Sequence, residues 1–161
     1  MEWSEVIHNP FLKDLPFKIE LNKFGKLLMS PASNSHGRFQ GRIAGLLWQG
    51  LPDGEVITEC SVQTSEGVKV ADVAWASAEF IAEFAYATPY LKAPEICVEI
   101  VSPSNSKLEI SEKVDLYLAK GAKEVWVVYL DNRLEIFSHV GLVEQSIFLG
   151  DFKEKFFNSI G

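Results

Sequence analysis

A chain of 161 residues with 47% hydrophobic content is long enough to bury one sizeable core. Nineteen aromatic residues and a mean hydropathy of +0.07 exclude extensive disorder, and no apolar run approaches the roughly 18 residues that a membrane span needs. The net charge of −7 excludes a broadly basic surface of the kind that grips many phosphates without regard to sequence.

Residues 1–16 read as a mixed leader holding one short helix ended by Pro10 or Pro16. The first five residues carry neither the basic nor the apolar region of a signal peptide, so a cytoplasmic location is expected. Pro16 to Leu21 alternates, turns through Asn22-Lys23-Phe24-Gly25 and returns over Lys26–Ser30, which predicts a β-hairpin. Pro31–Ser35 is a loop with N-cap chemistry. From His36 to Leu51, Phe39, Ile43, Leu46, Leu47 and Gly50 recur at helical spacing, and Pro52-Asp53-Gly54 stops the helix.

Glu55–Gln63 and Lys69–Ala76 read as strands joined by a turn, and Ser77 caps a short helix through Phe84. After a loop closed by Pro94 come a strand around Glu99, a Ser102–Ser106 connection and a helix over Lys107–Lys120 with Gly121 as its C′ residue. Glu124–Leu130 is nearly continuous in apolar residues, as a strand covered on both faces requires. A hairpin follows into Leu134–Phe137, then a strand near 145–149 and a polar-aromatic tail. The order predicts one α/β (α+β) domain over 1–161, with a leader (1–16), a core (17–137) and a C-terminal strand and tail (138–161). Cys60 and Cys97 fall in predicted strands without CxxC spacing and read as buried free thiols.

Asp72 lies inside the apolar run Val70–Trp75, and Glu99 inside Ile96–Val101. A carboxylate in a buried strand is costly unless a cation, a hydrogen bond or a proton neutralises it. Two of them, with Lys113 on the following helix, point to convergence on a metal ion. Hard oxygen ligands suit Mg²⁺ or Mn²⁺, which take one or two protein carboxylates and keep several waters; the backbone carbonyl of Ile100 is a candidate third oxygen. Lys113 would orient or acidify a water or offset charge on a phosphate. The plainer alternative is a strand Asp that caps a turn and a strand Glu paired with a helix Lys.

On a helical wheel, Ile110, Val114, Tyr117, Leu118 and Gly121 span an apolar stripe of about 100°, with Lys113 some 40° beyond Tyr117. A lysine at that border can lay its stem on the sheet and send its ammonium to a strand end. Glu20 is a candidate additional acid, and His36 a candidate for binding phosphate or positioning water. Ser102 and Tyr117 are candidates for orienting Glu99 and packing beside Lys113.

The stretch Pro94–Ser104, then Glu112-Lys113, Tyr117 and Gly121–Trp126, resembles the large Uma family of restriction-endonuclease-like proteins. Ala71-Asp72-Val73-Ala74 resembles that family's Pro-Asp-Val-Ala motif, and Glu20, Gly25, Ser30-Pro31 and His36 its N-terminal hairpin and helix start. The resemblance implies the PD-(D/E)XK nuclease fold, a mixed β-sheet flanked by helices, with the motif lysine moved from Val101 in the Glu99 strand to Lys113. Ala71 stands for the motif proline, Glu109 for a usual Asp, and Tyr129 for an Asp that commonly follows the Trp strand.

A metal-dependent endonuclease acting on DNA is therefore expected, the DNA met through a local basic patch, a dimer groove or a brief encounter. A homodimer is expected from the aromatic tail Phe148, Phe152, Phe156 and Phe157, unless those rings complete the monomer core. The alternatives are a nuclease fold kept as a binding or regulatory module and a metal hydrolase of a smaller phosphoester. No HExxH, GxSxG, Walker A or GxGxxG pattern occurs.

Overall fold

In the computed structural model, which describes residues 1–160 apart from the side chains of Lys155, Ser159 and Ile160, the alternating and apolar runs condense into one eight-stranded mixed sheet. The elements in order are α1 (Trp3–His8), β1 (Phe17–Asn22), β2 (Leu27–Pro31), α2 (Asn34–Gly50), β3 (Glu55–Thr64), β4 (Gly67–Ala76), α3 (Ala78–Phe84), β5 (Ile96–Val101), α4 (Lys107–Ala119), β6 (Glu124–Tyr129), β7 (Leu134–Ser138), β8 (Gly141–Val143) and α5 (Lys153–Ile160). The sheet runs β2-β1-β4-β5-β6-β7-β8, with β3 paired to β4, and only β5 and β6 are parallel, joined by the α4 crossover.

Local chemistry explains the ends of these helices. Ser33 caps α2 by accepting from the His36 N–H at 3.1 Å, and Ser77 caps α3 through Phe80. Ser106 and Glu109 form a reciprocal capping box on α4, which gives Glu109 a structural task at a position where the family pattern has Asp.

Alternation along β5 and β6 sorts the core into two layers. Cys97, Val125 and Val127 pack with α3 and α4; Ile96, Val98, Ile100, Trp126 and Val128 pack with α2. Along β4 this alternation breaks. Ala71 belongs to the first layer and Val73 to the second, although residues two apart in a regular strand share a face. The break coincides with Glu59, opposite Asp72, which has φ +52 and is the one position the β3–β4 ladder skips between Glu55 and Thr64.

The edge of β4 also changes partner. Gly67 and Val68 pair with β1, whereas Val73, Ala74 and Trp75 pair with β5. Between them β1 and β5 splay apart, leaving a fork along Lys69–Asp72.

The C-terminal part differs from expectation. Residues 145–149 form no strand; β8 is Gly141–Val143, and Ser146 only bridges to Gly150. Buried Glu124 draws this segment in, accepting from the Ser146 hydroxyl, the Ile147 N–H and the Trp126 indole, so its donors leave no strand ladder to build. Of the tail aromatics, Phe152 stacks on Trp126 at 4.6 Å and Phe156 is buried, so these rings complete the α2 layer of the same chain. Both cysteines are buried and free.

Gly67, with φ +100, lets β4 start where β1 crosses it; a Cβ there would run into the Leu21 carbonyl and the Asn22 backbone. Gly67→Ala is therefore expected to lower unfolding stability by about 2 kcal/mol or more in urea titrations.

Candidate active site

The fork creates a problem that side chains solve. A buried backbone N–H must find an acceptor, and the Val70 and Ile100 amides lie just past the ends of the β1–β4 and β4–β5 ladders. Glu20 Oε2 accepts from Val70 at 2.8 Å, and Asp72 Oδ2 accepts from Ile100 at 2.7 Å. Carboxylates thus replace strands at both prongs. Glu99, between two residues of the α2 layer, faces α4, where the Tyr117 hydroxyl donates to its Oε1 at 2.8 Å.

Three carboxylates now lie together, and all are buried. Burial makes uncompensated charge expensive, so cations must follow. Lys113 Nζ reaches Glu20 Oε1 at 2.8 Å and Glu99 Oε2 at 3.4 Å. Lys18, on β1, lies 3.0 Å from Asp72 Oδ1 and 3.2 Å from Glu99 Oε2. His36 Nε2 stands 3.3 Å from Asp72 Oδ1. The Lys113 side chain is only 12% exposed. Its ammonium is an inward partner, and removing one member of such a buried pair typically costs about 3–5 kcal/mol.

The same groups shift one another's protonation. Burial alone would raise the Asp72 pKa, but Lys18, His36 and the Ile100 N–H together hold it down to about 2. Glu20 is likewise lowered: burial is outweighed by Lys113 and Lys18. Glu99 goes the other way, because its desolvation exceeds the help of Lys113 and Lys18 and because Asp72 and Glu20 repel its charge. Burial opposes the Lys18 ammonium, yet Glu99, Asp72 and Glu20 raise its pKa above the ordinary lysine value. His36 is raised by its hydrogen bond to Asp72, against partial burial.

Asp72 with His36, and Glu99 with Lys113, Glu20 and Tyr117, are therefore joined into one network through Lys18. Ser102 lines the same space, but its hydroxyl bonds to Ser104 and Asn105, shaping the loop before α4. Ile100 takes part through its N–H to Asp72. Three further residues belong to the site. Lys18 is one. Gln40, one α2 turn past His36, donates to the Asp72 carbonyl at 2.9 Å and to Glu59 at 3.0 Å. Glu59 holds the left-handed backbone that frees that carbonyl, a strained conformation for a non-glycine residue. The only sequence signal for Lys18 was its place two residues before Glu20, on the same strand face.

A cavity of about 290 Å³ opens on this cluster. Asp72 Oδ1 and Glu99 Oε2 both point at the Lys18 ammonium, so two hard oxygens already converge on one cationic point. That donor set fits a Mg²⁺-type ion, which takes one or two carboxylates and completes its shell with water. Among the described residues, no group of three or more His, Cys, Asp or Glu side chains is arranged to hold a metal ion.

Two predictions follow from the hydrogen bonds. Without added divalent ions, an NMR titration of the His36 imidazole is expected to give a midpoint above 6.5, returning to 6.5 or below in Asp72→Asn. The sign follows from linkage: the His36 contribution to stability is full below pH 6.5 and is lost as pH rises through the folded value. The Asp72 contribution is full above 3.8 and is lost as pH falls through about 2. Tyr117→Phe leaves Glu99 Oε1 without its donor in a dry site, with an expected loss of about 1–3 kcal/mol in denaturant titrations.

Comparison with known proteins agrees with this architecture. A solved structure described as a "putative nuclease belonging to DUF820 from Anabaena variabilis ATCC 29413" superposes with a TM-score of 0.63 at 16% identity, covering 74% of this chain and 71% of that one. At that identity the likeness establishes the fold alone. No curated protein matches the chain. No helix among the described residues is long and apolar enough to cross a membrane. The family model that does match spans residues 11–154, nearly the whole chain including every residue of the fork, and on that ground the protein belongs to the Uma2 family, described as "Putative restriction endonuclease".

Proposed function

We propose that the protein is a metal-dependent endonuclease that hydrolyses DNA phosphodiester bonds, with Asp72 and Glu99 as the ligands of Mg²⁺ or Mn²⁺. The observation that carries this reading is the convergence of Asp72 Oδ1 and Glu99 Oε2 on one cationic point at the floor of an open cavity. A divalent ion held there would supply Lewis acidity toward a phosphate oxygen and a water.

The chain's own groups have distinct tasks in this reading. Asp72 is locked by the Ile100 N–H on one oxygen and presents the other, and Tyr117 does the same for Glu99. Fixed ligands avoid reorganisation during reaction. Lys113 stands against Glu99 and Glu20, placed to orient a water or to balance charge that builds on the phosphate. His36 reaches the cavity from the first turn of α2, where its imidazole can donate to a phosphate oxygen. Phe17 is the single aromatic among the lining residues, so the cavity is not filled by rings. Cutting both strands of a duplex would draw on two copies of the chain or two encounters.

One observation favours the alternative of a catalytically silent binding module. Two ammonium groups and an imidazole already answer three carboxylates, so the cluster is satisfied as a purely structural knot. Metal and DNA together separate the readings. Mn²⁺ is expected to raise the Tm of the wild type, and not that of Asp72→Asn, because ligands that bind the native state stabilise it by mass action. Supercoiled DNA should be cut only with Mg²⁺ or Mn²⁺ present, and Lys113→Met, assayed on folded protein, should cut about 10²-fold more slowly. A wild type that neither shifts in Tm nor cuts DNA would leave the silent module.

A further inference from the structure

A cation built into the chain already occupies the point assigned above to a metal. Lys18 Nζ lies 3.0 Å from Asp72 Oδ1 and 3.2 Å from Glu99 Oε2. The other oxygen of each carboxylate is fixed by the fold: Asp72 Oδ2 by the Ile100 N–H, and Glu99 Oε1 by the Tyr117 hydroxyl. The pair therefore keeps its orientation whichever cation sits between the free oxygens. A Mg²⁺ ion would approach them to about 2.0–2.1 Å, closer than the ammonium does, and two cations cannot share the point.

Lys18 also has room to leave. It is carried on a four-carbon stem at the wall between two cavities, lining both the site and the neighbouring space beneath the leader, where α1 faces β3. Glu59 lines the same two cavities, and its exposed carboxylate offers a destination for the displaced ammonium. Lys113 also lines a second cavity, beside Glu109 and Glu112, but it bridges Glu20 and Glu99, so its departure would not free the point between Asp72 and Glu99.

Building on the metal-binding part of the proposed function, we propose that Lys18 is an internal competitor of the divalent ion. Its ammonium holds Asp72 and Glu99 together, and the ion enters by driving it toward Glu59. Affinity for the ion is then the intrinsic affinity reduced by the fraction of molecules in which Lys18 has moved aside. The competition is one of charge and position, so arginine at this position would retain it and methionine would abolish it.

Calorimetric titration of Mn²⁺ into the full chain, without DNA, tests this directly. Lys18→Met is expected to bind Mn²⁺ about tenfold or more tightly than the wild type, and Lys18→Arg to stay within about threefold of it. Because Lys18→Met strips a counter-charge from buried acids and can fail to fold, the wild type supplies a second readout. Brief acetylation followed by mass spectrometry should show Lys18 modified severalfold faster at saturating Mn²⁺, with exposed Lys23 unchanged as the internal reference. Unaltered or weaker Mn²⁺ affinity in folded Lys18→Met, or unchanged Lys18 reactivity at saturation, would overturn the competitor while leaving metal binding in place. Absence of Mn²⁺ binding in both wild type and variants would overturn the competitor and the metal-dependent reading together.

Discussion

The site depends on the fork in β4, where one strand edge is shared between β1 and β5 and neither partner covers the middle. Everything that follows is forced by the cost of an unpaired buried amide, about 1–3 kcal/mol each. Acceptors must enter the fork, and Glu20 does so from β1 and Asp72 from β4 itself. A hydroxyl or an amide oxygen would have served the amides equally well. Carboxylates add charge, and charge in a dry place demands Lys18, Lys113 and His36. The chemistry of the site is thus assembled from the needs of the sheet outward.

Asp72 and Glu99 share the Lys18 ammonium but not their electrostatic fate. Asp72 has a cation, an imidazole and a backbone donor close by, and its proton leaves easily. Glu99 is desolvated beyond what Lys113 and Lys18 offset and faces two other acids, so its ionised form is disfavoured. Environments that push two carboxyl groups apart in this way are how sites assign them separate roles. A divalent ion would favour the charged form of both and release the proton from the one that holds it more tightly.

Much of this could be read in the sequence, and the exceptions have physical causes. The hairpin, the α4 crossover and the strands bearing Asp72 and Glu99 follow from periodicity and caps, because those signals are local. The wheel placed Lys113 beside the apolar stripe of α4, and its ammonium reaches Glu20 and Glu99. Lys18 carried only a faint signal, its place on the Glu20 face, because on an alternating hairpin strand a lysine reads as solvent-facing; the splaying of β1 from β4 turns it inward. The phase break at Asp72 was hidden by the unbroken apolar run around it, in which every residue is suited to either face. Glu59 carried no signal at all, since positive φ at a glutamate has no compositional mark. The Ser102 hydroxyl bonds Asn105 because loop hydroxyls satisfy their own turn first, which a sequence does not display. The strand expected at 145–149 gave way to Glu124, whose buried acceptors outbid a ladder.

The overall charge of −7 looks unsuited to a polyanionic substrate, and the site itself does not reverse it. With the imidazole neutral, three acids and two lysines leave the cluster one negative charge. On the proposed reading, a divalent ion turns this to one positive charge in a low-dielectric cleft, where a unit charge acts far more strongly than on the surface. Attraction of a phosphate then comes into being only with the ion, over the short range that screening permits. On that reading, an acidic protein of this build would discriminate against DNA at long range and accept a phosphodiester only at a loaded site, which would couple substrate entry to the presence of the metal.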